Sequence, residues 1–77
     1  MSTTDVVNIA RARRTIRDTP AVARDLRRQS GLSLYEVGAA LGVSHAAVWR
    51  YETGQRIPRG DVAVRYLDLL RRAAGVE

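Results

Sequence analysis

The sequence predicts an all-α protein, a compact bundle of four to five short helices. Three observations carry that expectation. No segment sustains an apolar–polar alternation of period two, and no Asn-Gly or Asp-Gly pair offers a hairpin turn. Residues that start and stop helices recur at short intervals along the whole chain. The chain has 77 residues and no cysteine, so a single small core forms without a disulfide staple.

The elements follow in order. Asp5 to Asp18 is helix-permissive and rich in arginine. Val6, Ile9, Ala10 and Ile16 cover part of one face there, and Arg13 and Arg17 interrupt it. The first four residues are expected to be disordered. Thr19-Pro20 is a boundary, because proline fits a first helical turn and pushes its predecessor out of the helical region. A second helix runs from Pro20 to about Ser30, with Val22 and Leu26 toward the core and Gly31 as a left-handed cap. Ser33 and Glu36 have capping-box spacing, and the helix they start stops at Gly42. Ser44 caps a fourth helix, His45 to about Thr53, closed by Gly54. After Pro58 and Gly60 a fifth runs from Asp61 to about Ala74, ended by Gly75. Asp61 stands at its positive end and Arg71 and Arg72 at its negative end. Its core stripe is Val62, Tyr66, Leu69 and Ala73.

Composition bounds the chemistry. The formal charge is +5, and all 13 cationic side chains are arginine. Without cysteine and with a single histidine, His45, neither a thiolate nor a multi-histidine metal site is expected. No motif around His45 pairs it with a nucleophile. No apolar run approaches the roughly 20 residues of a membrane span. Met1 to Thr4 is polar and uncharged, unlike a secretory signal. The expectation is an intracellular, cytoplasmic binding module: no enzyme, no cofactor, no metal, no small-molecule ligand and no membrane. Positive charge suits a polyanionic partner, yet many basic domains bind none. Its placement says more. Residues 1–31 carry seven arginines and three aspartates, net +4, whereas residues 32–77 carry +1. From Leu32 to Trp49 the only formal charge is Glu36.

That neutral stretch holds the most specific pattern. From Ser33 to Gly54 a capped helix, a glycine-containing turn and a second capped helix make a helix-turn-helix. Such a unit needs a small residue where its helices approach. Gly38 meets that need, although glycine weakens an isolated helix by about 1 kcal/mol relative to alanine. Gly42 supplies the positive φ of the turn. Val37, Leu41, Val43, Val48 and Tyr51 have the spacing to pin both helices to a core. On a helical wheel Val48, Tyr51 and Glu52 turn inward, and His45, Ala46, Trp49 and Arg50 turn outward.

The run LRRQSGLSLYEVGAALGVSHAAVWRYETGQRIP resembles the Cro/repressor-type, XRE-like helix-turn-helix family. The likeness rests on Leu26-Arg27, Gly31-Leu32-Ser33, Gly38, Leu41-Gly42-Val43-Ser44, Glu52-Thr53-Gly54 and Pro58, and covers about Ala21 to Leu70. It departs in having glycine rather than alanine at position 38, and alanines and a tryptophan on the second helix. The resemblance implies a lambda-repressor-like bundle, with an Arg-rich segment 1–19, partly helical, a helix-turn-helix domain over 20–74 and a tail 75–77. It implies a sequence-specific, double-stranded DNA-binding transcriptional regulator, a small phage Cro-like or repressor-type protein acting at the nucleoid of a bacterial host. Two copies would bind a (pseudo)palindromic operator through the major groove.

By that likeness His45, Ala46, Trp49 and Arg50 face bases. Arg50 suits guanine O6 and N7, or else a phosphate. Trp49 packs on sugars and thymine methyls, or inside the chain. Ala46 offers a methyl, whereas Ala47 fits helix packing. Backbone contacts fall to Ser33, Tyr35, Ser44, Gln55, Arg56, Arg59, Arg11, Arg13 and Arg14, with core packing equally open to Tyr35. Arg27 and Glu52 correspond to the family's structural ion pair. Val64, Leu67 and Leu70 exceed what the last helix needs for the core. The resemblance implies a homodimer contact there, or else the final helix is simply buried. The alternative is an antitoxin-like or adaptor protein that uses the scaffold for protein–protein contact, with Asp5–Asp18 as the partner-binding helix. A basic membrane-surface role for that helix is disfavoured by its poor apolar face.

Overall fold

The computed structural model describes residues 2–75. Its elements are α1 (Thr3–Asp18), α2 (Pro20–Ser30), α3 (Leu34–Leu41), α4 (His45–Glu52) and α5 (Asp61–Ala73), with no strand among the described residues. The all-α bundle is therefore formed. Met1 and, beyond Gly75, the expected tail lie outside the described residues.

α1 begins earlier than expected. The Ser2 hydroxyl accepts from the Asp5 amide at 3.1 Å, and the Asp5 carboxylate accepts from the Ser2 amide at 3.3 Å. This reciprocal cap satisfies two of the free amides of a helix start, so Thr3 and Thr4 are helical rather than disordered. The inward face of α1 is also different. Ala12 and Ile16 are buried and Ile9 is half-buried, a stripe at i, i+3 and i+7, while Val6 and Ala10 are exposed. Arg13 and Arg17 flank this stripe instead of interrupting it.

α1 packs on α5 and α2. At the joint, the Thr19 hydroxyl donates to the Thr15 carbonyl at 2.8 Å, and Pro20 opens the next helix. α2 buries Ala23 and Leu26, whereas Val22 is 40% exposed, contrary to expectation. One residue is 100° of helix rotation, and the smaller Ala23 takes the place against the core that Val22 was assigned.

α5 is the central post. α1, α2 and α3 all pack against it, so its buried arc is wide. Ala63, Tyr66, Leu67 and Leu70 are buried, Val62 and Leu69 are half-buried, and Ala73 is exposed. The single stripe read from the sequence is thus corrected, and Leu67 and Leu70 belong to the chain's own core rather than to a spare surface. Arg65 donates to the Ala40 carbonyl at 3.3 Å, placing a cation at the C-terminal end of α3. Tyr66 lies beneath Tyr51, ring centroids 5.5 Å apart and tilted by 52°. The Tyr66 hydroxyl is buried without a hydrogen-bond partner, and burial, then the Glu52 charge, push its pKa up.

Candidate nucleic-acid interface

The α3–turn–α4 unit is assembled by local rules. The Ser33 hydroxyl accepts from the Glu36 amide, and Glu36 accepts from the Ser33 amide, both at 3.0 Å. The Ser33 amide contributes most to holding the exposed Glu36 carboxyl below its ordinary pKa, and the Ser33 side chain adds to it. Gly42 has φ +74° and closes α3, and Val43 donates to the Gly38 carbonyl at 2.9 Å. Ser44 then caps α4 by accepting from Ala47 at 3.1 Å.

Gly38 is where α3 closely approaches the backbone of the turn and of the start of α4. A Cβ at this position would lie 2.7 Å from the Val43 carbonyl oxygen and 3.3 Å from the His45 amide nitrogen. These are backbone atoms and cannot swing away. A side chain at this position would require the turn to shift.

α4 is fixed from behind. Val48, Tyr51 and Glu52 are buried, as the wheel predicts, together with Ala47. Glu52 meets Arg27 of α2 in a two-pronged ion pair, Nε to Oε2 at 2.5 Å and Nη2 to Oε1 at 3.0 Å. The guanidinium also donates through Nη1 to the Leu32 carbonyl at 3.1 Å. Arg27 therefore ties α2 to both the α2–α3 corner and the end of α4. The side chains are 15% and 2% exposed, so the pair is largely shielded from water. The bond to Glu52 raises the pKa of Arg27 further.

The opposite face of α4 is open. His45 and Arg50 are exposed, Ala46 is half-buried, and Trp49 is 48% exposed. Trp49 is thus about half covered by the chain and half open, and Ala47 is buried in the packing of α4. Tyr35 is 68% exposed, which removes the core-packing option. Its ring stacks on His45, centroids 4.1 Å apart and planes 23° apart. This contact between the first turn of α3 and the first residue of α4 has no sequence signal, because the partners are on different helices. Ser33 and Ser44 sit at the two helix starts, Ser33 half-buried and Ser44 exposed.

The chain after α4 folds back on its end. The Gln55 and Arg56 amides donate to the Arg50 carbonyl at 3.0 and 3.3 Å, and Gln55 Nε2 donates to Thr53 at 3.2 Å. Gln55, Arg56 and Arg59 are exposed. Arg11, Arg13 and Arg14 are exposed on α1, whose principal contacts are α5 and α2, apart from α3 and α4. No three His, Cys, Asp or Glu side chains among the described residues are grouped to hold a metal. No helix there is long and apolar enough to cross a membrane.

The geometry is therefore a rigid pair of short helices, one of which presents a neutral, ring-rich face ending in an arginine. No curated protein and no solved structure matches the chain significantly. Residues 21–77 match the helix-turn-helix domain family, and the chain belongs to that family, whose members point to DNA binding and regulation.

Proposed function

We propose that this protein is a sequence-specific double-stranded DNA-binding regulator of the small repressor type. α4 lies in the major groove, with His45, Ala46, Trp49 and Arg50 toward base edges. Ser33, Tyr35, Ser44, Gln55, Arg56 and Arg59 meet the sugar–phosphate backbone, which fixes orientation without reading sequence. The single observation that carries the reading is the two-sidedness of α4. Its inner face is clamped by the Arg27–Glu52 pair and by Val48 and Tyr51, while its outer face is left open to solvent. A rigidly supported, exposed helix is what base reading requires.

Two copies bind half-sites about one helical turn apart on a pseudo-palindrome. Their contact does not use Leu67 and Leu70, which the core already takes. Arg11, Arg13 and Arg14 add attraction to phosphate from α1.

Selection of bound sequences from a pool of random duplexes tests the reading, and an enriched motif is expected. On that motif Arg50→Ala lowers affinity about 10- to 100-fold, the range for losing a bidentate guanine contact, and leaves random duplex nearly unaffected. Equal loss on both would reassign Arg50 to phosphate. A second reading, an adaptor that binds another protein through α1, has one observation in its favour. α1 lies wholly outside the matched family segment, and it leaves Val6 and Val7 exposed.

A further inference from the structure

The outward face of α4 carries an unusual set of groups. His45, Ala46, Trp49 and Arg50 form it, and among these described residues there is no carboxylate and no carboxamide. Glu52, the acid of α4, is turned inward to Arg27. Hydrogen-bond reading of adenine uses Asn or Gln, and reading of the cytosine amino group uses Asp or Glu. Neither type stands on this face. One guanidinium remains, suited to guanine, beside a large ring-lined area.

The rings of that area stand on one side of the helix pair. Tyr35 stacks on His45 at 4.1 Å. Trp49 follows His45 by four residues, which puts both on one side of α4, with Ala46 adjacent. Grouped, exposed aromatic surface marks a contact site. The apolar group that a base pair presents in the major groove is the C5-methyl of a pyrimidine.

Resting on the DNA-reading function proposed above, we infer that α4 selects sites by pyrimidine C5-methyl groups, thymine or 5-methylcytosine, adjoining a guanine held by Arg50. Trp49 and Ala46 receive the methyls. The stacked Tyr35 and His45 rings border that surface.

The test deletes single methyls from DNA and leaves the protein intact. Duplexes enriched from the random pool by the full chain are resynthesised with deoxyuridine for each thymine in turn. In a second series 5-methylcytosine replaces each cytosine. Deoxyuridine at one or more positions weakens binding about fourfold per methyl, the value of one buried carbon. That loss disappears in Trp49→Ala or in Ala46→Gly, each confirmed as folded by circular dichroism. A gain with 5-methylcytosine assigns methylated cytosine as the preferred source, and no gain assigns thymine. An enriched motif indifferent to deoxyuridine overturns the inference and leaves the DNA-reading function standing. Losses that persist undiminished in both variants also overturn it, because the methyls are then read elsewhere. A pool that enriches no sequence overturns the DNA-reading function itself, and the inference with it.

Discussion

The sixteen residues of α1 include two that are buried, Ala12 and Ile16, whereas α3 and α4, eight residues each, include three and four. The charges run the other way. α1 carries four arginines and two aspartates, and α3 with α4 carry one arginine and two glutamates. Of those three charges, Glu36 closes a cap and Glu52 is locked to Arg27. Arg50 is exposed and has neither a cap to close nor an ion-pair partner among the described residues. Two stretches of equal length thus take opposite tasks. α3 and α4 invest their side chains in holding one geometry. α1 is fastened by a narrow stripe and displays charge. A base edge must be met within a fraction of an ångström, while a phosphate field acts over a Debye length of about 10 Å at 0.1 M salt.

The sharpest way to break this contrast is to release α4. Glu52→Ala leaves the shielded Arg27 guanidinium uncompensated, and is expected to cost about 3–5 kcal/mol in urea unfolding. Against a typical domain stability of about 5–15 kcal/mol, that removes much of the margin. Replacing both partners, Arg27→Met with Glu52→Leu, recovers most of the loss, because the desolvation cost disappears with the charges. A loss below about 1 kcal/mol for Glu52→Ala would place the pair with ordinary surface ion pairs, and the rigidity of α4 would need another source.

The next effect is smaller and of unexpected sign. On an exposed helix, glycine to alanine adds about 1 kcal/mol of stability. Gly38→Ala is expected to lose about 1–3 kcal/mol instead, since the new methyl meets the Val43 carbonyl at 2.7 Å. Ala10→Gly on the exposed side of α1 serves as the comparison, and costs about 1 kcal/mol by propensity alone. Thermal melts of the two variants read the difference. Stabilisation by Gly38→Ala would show that the turn can open without penalty.

What the sequence discloses follows the range of each interaction. The caps at Gly31, Ser33, Gly42 and Ser44 are set by neighbours within a few residues, and these are placed as expected. The inward and outward faces of α4 were legible because a short helix packed from one side has one simple stripe. α5 was not, because helices on several sides bury Leu67 and Leu70 along with Tyr66. On α1 the signal misleads, since the small Ala12 lies inward while the larger Val6 and Val7 remain exposed. The Arg27–Glu52 pair spans 25 residues and is accessible only through family likeness. The Tyr35–His45 stack has no such guide and emerges from the packing of α3 on α4.

The smallest effect on stability tests the other half of the contrast. Replacing Arg11, Arg13 and Arg14 together by glutamine alters exposed side chains on α1 and leaves Ala12 and Ile16 in place. Folding stability is expected to change by less than about 0.5 kcal/mol for each substitution. Removing the whole of residues 1–18 would not isolate charge in this way, because it would also strip Ile16 from the core. The readout is the dependence of DNA affinity on salt. Each arginine that neutralises a phosphate contributes about 0.9 to the slope of log affinity against log salt, so the triple variant flattens it by up to about 2.7. The loss should be the same on a selected site and on random duplex, because phosphates carry no sequence information. Arg50→Ala should show the opposite pattern, a loss confined to the selected site. A triple variant whose salt slope is unchanged would free α1 from DNA altogether, and its exposed Val6 and Val7 would then favour a protein partner.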